Sequence, residues 1–183
     1  MMVKLNRIYT RTGDAGATGL VDGSRISKAA PLMAAIGDVD EANSAIGVAI
    51  VALGERMPAA MLLTIQNDLF DLGADIATPA EMAGALRIVP AQVARLEAAI
   101  DALNDDLAPL TSFVLPGGDG AAAALHLARA IARRAERSAV AVEGLNPAAL
   151  AYLNRLSDYL FVAARAVNAA AAGDVLWQPG ASR

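Results

Sequence analysis

The 183-residue chain predicts an all-α fold, a five-helix antiparallel bundle behind a glycine-rich N-terminal loop. Three observations carry that prediction. Alanine, the best helix former, supplies about a quarter of the chain, while the aromatic residues that favour strands make up only 4%. Pro31, Pro58, Pro90 and Pro147 each stand where a helical run begins, a position at which proline is tolerated. The connections between runs are mostly short, which makes sequential helices antiparallel neighbours. The length suits one domain over 1–183: an N-terminal segment 1–28, a bundle 29–172 and a tail 173–183.

The elements follow in order. Gly13, Gly16, Gly19 and Gly23 crowd the first segment, which reads as loop. The first helix is expected from Pro31 to Leu53, with Gly54 as its C-terminal cap. A second runs from Pro58 to about Ala77 and is stopped by Pro79, and a third from Pro90 to about Leu103. Residues 104–120, rich in Pro and Gly, form a long loop. The fourth helix covers about 121–142, and its apolar stripe reads as Ala124, Leu127, Ala128, Ile131, Ala135 and Val142. Asn146-Pro147 opens a fifth that reaches about Ala172.

Composition excludes several functions. With 15 Lys+Arg against 19 Asp+Glu the net charge is −4, so no nucleic-acid partner is expected. The absence of cysteine removes disulfides, thiolate metal sites and a cysteine nucleophile, and a single histidine cannot build a multi-histidine metal site. The mean hydropathy of +0.43 raises the question of a membrane. Yet the uncharged stretch 42–54 is too short to span one, and the N-terminus has no signal-peptide core. A cytoplasmic protein without a membrane partner is expected.

The chemistry-bearing residues gather in three places. On the fourth helix Arg129, Arg133 and Arg137 recur every four residues and share a face, with Glu136 and His126 on or beside it. Such a face is either solvated and paired with nearby carboxylates or a clamp for a polyanion, since guanidinium forks match phosphate oxygens in pairs. On the fifth helix Asn154 precedes Asp158 by one turn, and an interhelical hydrogen bond is the plain reading of Asn154. The first helix sets Asp40 with Asn43, Ser44 and Gly47 among apolar residues, where a carboxylate needs a partner; an arginine of the fourth helix is the expected one. The N-terminal glycines could turn backbone N–H groups onto an anion, helped by Thr10, Thr12, Thr18, Arg11 and Lys28, although no Walker A pattern occurs. His126 reads as an interior or rim residue and Trp177 as a packing anchor. Phe113 reads as a buried anchor or a wall facing a ligand.

Five ordered blocks, IYTRTGDAGATGL, GDVDEANSAIG, FVLPGG, HLARAIARRAER and YLNRLSDYLFVAARAVN, spread from residue 8 to about 168. Together they closely resemble the PduO-type ATP:cob(I)alamin adenosyltransferases. The resemblance implies a ferritin-like five-helix bundle assembled as a homotrimer with active sites between subunits. It implies transfer of the 5′-deoxyadenosyl group of ATP to the cobalt of cob(I)alamin, giving adenosylcobalamin and triphosphate, with Mg2+ accompanying ATP. A flavoprotein reductase and an adenosylcobalamin-dependent mutase are the partner classes it suggests. By matching position, Thr10, Arg11, Thr12, Gly13, Asp14, Gly16 and Thr18 are similar to the family's ATP loop, and Lys28 to its following lysine. Arg133, Glu136, Arg137 and Asn154 resemble its nucleotide-binding residues. Asp40 and Arg129 resemble its intersubunit salt bridge, and Phe113 the aromatic residue that displaces the lower axial ligand of cobalt.

Such chemistry suits these residue types. Co(I) is itself a strong nucleophile, so the protein need only align it with C5′ and stabilise the departing triphosphate. Two departures stand out: Ala15 where many relatives carry lysine, and Asp119-Gly120 where many carry Ser-Pro. The alternative function is a non-catalytic carrier of corrinoid or nucleotide that delivers adenosylcobalamin to a dependent enzyme.

Overall fold

Proline opens three of the five helices in a computed structural model that describes residues 9–183. The helices are α1 (Pro31–Leu53), α2 (Ala59–Ile76), α3 (Pro90–Asn104), α4 (Gly120–Val140) and α5 (Pro147–Ala169). Pro31, Pro90 and Pro147 occupy their first turns, whereas Pro58 stands just ahead of α2. Side chains complete the N-termini: Asp119 accepts from the Ala121 N–H at 2.8 Å and Asn146 from that of Ala148 at 3.0 Å. Gly54 closes α1 with φ 62°, its N–H returning to the Ile50 carbonyl. The expected helices are all present. Their ends differ by a few residues, most at α5, which stops at Ala169.

The N-terminal segment corrects the loop reading. A two-stranded antiparallel hairpin, β1 (Ala17–Gly19) and β2 (Arg25–Ser27), lies within it. Asp22-Gly23 sits in the turn, with φ 83° at Gly23. That dipeptide is a recognised hairpin signal, here masked by very short strands of small and polar residues.

α4 is packed between α1 and α5; α2 covers α1, and α3 covers α5. Cross-ties show the alternating directions. Arg56, after α1, reaches Asp119 at the start of α4, and Ser138, near the end of α4, donates to Asp38 near the start of α1. The central place of α4 widens the expected apolar stripe, of which Ala124, Ala128, Ile131, Ala135 and Val142 lie in or against the core and Leu127 does not. Leu127 is 58% exposed, while Ala122, Leu125, Ala128, Ala132, Ala135 and Ala139 are fully buried. A helix covered on two sides buries a wide arc, and alanine lets both neighbours approach closely.

Two buried carboxylates lock α2 to its neighbours. Asp68 accepts from the Tyr152 hydroxyl at 2.7 Å, Gln92 Nε2 at 2.9 Å and Arg95 at 2.5 Å. Asp75 accepts from Arg87 at 2.8 Å, the Ile88 N–H at 2.8 Å and Asn146 Nδ2 at 2.7 Å. Among the described residues no helix is long and apolar enough to cross a membrane.

Candidate functional site

The hairpin gives the glycine-rich loop its shape. Arg25 donates from Nη2 to the carbonyls of Thr12 at 2.7 Å and Ala17 at 3.1 Å. The Lys28 N–H bonds the Gly16 carbonyl, and its ammonium lies so close to Gly13 that a Cβ there would stand 3.0 Å from Nζ. Lys28 and the turn 13–16 are therefore one structure, with Gly16 at φ 80° and Arg11 in the left-handed region at φ 63°. Thr10 and Thr12 share a hydroxyl hydrogen bond at 2.8 Å, and the Arg11 guanidinium lies 5.7 Å from the Tyr9 ring centre. Asp14 is exposed and Thr18 half-buried in β1. Arg25, which organises the segment, is absent from the sequence-derived site; its alternation with Ile26 in a strand was the available signal.

The arginine face of α4 is a gradient from cleft to solvent. Arg129 is half-buried, 5.4 Å from the Phe161 ring centre, and burial followed by the Arg133 charge lowers its pKa. Arg133 and Arg137 are exposed, and neither has an ion-pair partner among the described residues; Arg137 donates only to the Arg133 carbonyl, at 2.9 Å. The two are solvated, as the plain reading has it, but the carboxylate pairing that it expects is absent among the described residues. Glu136 turns instead to α5 and accepts from Asn154 Nδ2 at 2.8 Å. Asn154 in turn accepts from Arg155 at 2.6 Å, which pairs with Glu97 of α3. The interhelical bond expected of Asn154 is present, and Glu136 is its acceptor.

Beside Arg129 lies a cleft of about 510 Å³. Phe113, Val114 and Pro116 form one wall, and His126, Arg129 and Phe161 the other. Phe113 is 76% exposed, so the buried-anchor alternative is excluded. His126 is buried, its Nε2 has no hydrogen-bond partner, and burial with the Arg129 charge lowers its pKa from 6.5.

Asp40 corrects a second expectation. The arginine of α4 that reaches α1 is Arg134, and it pairs with Asp38 at 3.4 Å and with Glu41. Asp40 is exposed in a separate groove between α1 and α2, beside Ile36, Leu69 and Phe70. It makes no ion pair with Arg129 among the described residues, because the two open on different clefts. The departure at Asp119 has a structural role: besides capping α4 it pairs with Arg56 at 3.1 Å, and that contact lowers its pKa. No group of three or more His, Asp or Glu able to hold a metal ion occurs among the described residues.

Residues 8–167 match the family model for cobalamin adenosyltransferase. The corrinoid adenosyltransferase of Mycobacterium tuberculosis H37Rv is 50% identical, the match covering 100% of this chain and 98% of that protein. That of Bacillus subtilis is 45% identical over 96% of this chain and 94% of its own length. Among solved structures, a variant PduO-type ATP:corrinoid adenosyltransferase from Lactobacillus reuteri, complexed with cobalamin and ATP, superposes with a TM-score of 0.87. It is 38% identical, the match covering 94% of this chain and 99% of that one.

Proposed function

This chain belongs to the cobalamin adenosyltransferase family, and from that premise we propose how its residues divide the work. The chain is an enzyme that adenosylates cobalamin at the expense of ATP. Co(I) supplies an electron pair to C5′ of ATP; the Co–C bond forms as the C5′–O bond breaks, and triphosphate leaves with the electrons of that bond. Cobalt ends as Co(III).

One observation carries the assignment of parts. A single face of α4 bears Arg129 at the cleft and Arg133 one turn further on, a rise of about 6 Å. An acceptor in the cleft and an anion at the exposed arginines would thus be neighbours. Arg133 and Arg137 hold the developing triphosphate charge, together with Lys28 and the turn formed by Thr10, Arg11, Thr12, Gly13, Asp14, Gly16 and Thr18. Preorganised cations at a leaving group are the largest ordinary source of such catalysis. The Glu136–Asn154 bond fixes α4 against α5 and offers polar atoms to the nucleoside. Mg2+ would enter on the triphosphate, whose hard oxygens suit it.

The cleft takes the corrinoid. Phe113 covers the lower face of cobalt and keeps a base or water from coordinating it, which makes Co(II) easier to reduce. The cleft is open to solvent on the side where Phe113 stands exposed, which supports a site completed by a second subunit. In the homotrimer we propose, Asp40 of one subunit meets Arg129 of the next; among the described residues neither has an in-chain ion pair. A reductase, of flavoprotein type, would supply Co(I), and a mutase-type enzyme would consume the product.

The test is an anaerobic assay with chemically generated cob(I)alamin and Mg-ATP. Light-sensitive adenosylcobalamin and released triphosphate, in equal amounts, are the expected products. Corrinoid binding without product would favour the carrier.

A further inference from the structure

The wall that bears Phe113 has no regular secondary structure of its own. Its ends are pinned by α5: Arg165 donates to the Ala108 carbonyl at 2.8 Å, and Asn168 donates to the Gly117 carbonyl and accepts from the Asp119 N–H. Gly118 permits this grip, since at φ 95° a Cβ would stand 2.2 Å from the Asn168 amide oxygen. Among the described residues, every hydrogen bond of the middle of the wall goes to the tail. The Leu115 N–H bonds the Val175 carbonyl at 2.8 Å, and the Trp177 N–H bonds the Phe113 carbonyl at 2.8 Å. Ser112 Oγ donates to the Trp177 carbonyl at 2.8 Å, and Val114 faces Leu176 in an antiparallel bridge. The Phe113 and Trp177 rings lie 5.9 Å apart and tilted by 59°. The strap is anchored at its root, where Asp174 accepts from Arg165 at 2.9 Å.

We propose that this tail is a positioning strap, and that Trp177 sets where the Phe113 ring stands at the mouth of the cleft. The inference rests on the role given above to Phe113. Two features mark Trp177 as more than a packing anchor. It is 44% exposed, so it is not filling the core. Its backbone and its ring both engage one residue, Phe113, whose side chain no other aromatic ring contacts among the described residues. A tilted aromatic pair is worth about 1 kcal/mol beyond buried area, enough to select one ring position among several on an exposed loop.

The test compares two assays on the full chain. With cob(II)alamin and a reductant, Trp177→Ala should lose about tenfold in turnover, well inside the ~100-fold that a misplacement of about 1 Å can cost. With pre-reduced cob(I)alamin, its rate and its KM for ATP should stay within about twofold of wild type. Trp177→Phe should restore most of the loss. In a Phe113→Ala background Trp177→Ala should add almost nothing, because the two act through one group. Trp177 is the sole tryptophan, so its emission gives an activity-independent readout: Phe113→Ala should shift it to the red. If Trp177→Ala fails to fold, Ser112→Ala carries the same comparison. Equal losses in both assays, or no loss while Phe113→Ala keeps its selective defect, would overturn the strap alone. A Phe113→Ala protein without a selective defect would overturn the role of Phe113 and the strap together.

Discussion

Arg133 makes no ion pair among the described residues and is exposed, so its removal should leave the fold intact. Its place one turn beyond the cleft predicts a catalytic loss instead. Arg133→Ala should lower turnover by about 100-fold, the range seen when one preorganised charge-stabilising group is removed, with an unchanged melting temperature. Kinetics like those of the wild type would remove the triphosphate clamp. His126 gives a second expectation at this scale. Its pKa is lowered in the fold because burial and Arg129 disfavour the imidazolium. The unfolded chain therefore takes up a proton near pH 6.5, and the folded chain does so only at lower pH. The unfolded state binds more protons below that pH, so stability must fall as pH falls. His126→Phe should flatten this dependence between about pH 7.5 and 5.5. Thermal melts across that range check it, and an unchanged slope would assign the effect elsewhere.

The helices show which kinds of link a sequence makes visible. Asp68 joins α2, α3 and α5 through Gln92, Arg95 and Tyr152. Asp68→Ala leaves the buried Tyr152 hydroxyl without its partner and should cost about 3 kcal/mol. Calorimetry should then show a fall of roughly 6–12 °C for a chain of this size. At the start of α4 the Arg56–Asp119 pair lowers the Asp119 pKa. Its stabilising effect is present above the ordinary value of 3.8 and lost as pH falls through the lowered one. Asp119→Asn keeps a capping oxygen but not the charge, so it should shrink the gap between neutral and acid melting temperatures. The helices themselves were legible because Pro31, Pro90, Pro147 and Gly54 act within one or two residues of where they stand. The Asp68 and Asp75 hubs were not legible, since their partners lie on other helices and no local period marks them. The full width of the arc buried on α4 was not legible for the same reason: a stripe rule assumes one covered side, and α4 has two. At the site, the spacing of Arg129, Arg133 and Arg137 was readable in one helix. The hold of Arg25 on the glycine loop, and of Trp177 on Phe113, depends on a hairpin and a bridge that composition obscures.

The surface of the whole molecule bears on assembly. Val51 is 83% and Phe70 72% exposed, and Val48 and Leu63 also face outward on α1 and α2. A soluble monomer seldom leaves so many large apolar groups on adjoining helices. Asp40 lies in the groove between those helices, and Arg129 opens on the other cleft. A head-to-tail contact joining the two faces would cover the apolar groups and pair the charges, and a ring closes when the rotation between copies allows it. For the homotrimer proposed above, which rests on the family resemblance, sedimentation of the wild type should give three times the 18.7 kDa chain mass. Phe70→Glu should place a charge in the contact and yield single chains. Those chains should keep their helical content but lose turnover, since each site would lack the residues of its neighbour. Asp40→Asn should weaken corrinoid binding while disturbing assembly less, because it unpairs Arg129 without burying a new charge. Full turnover by single chains would refute a shared site, however the apolar face is used. Full turnover by an intact Asp40→Asn trimer, with unchanged corrinoid affinity, would instead leave the shared site standing and remove the Asp40–Arg129 pair from it.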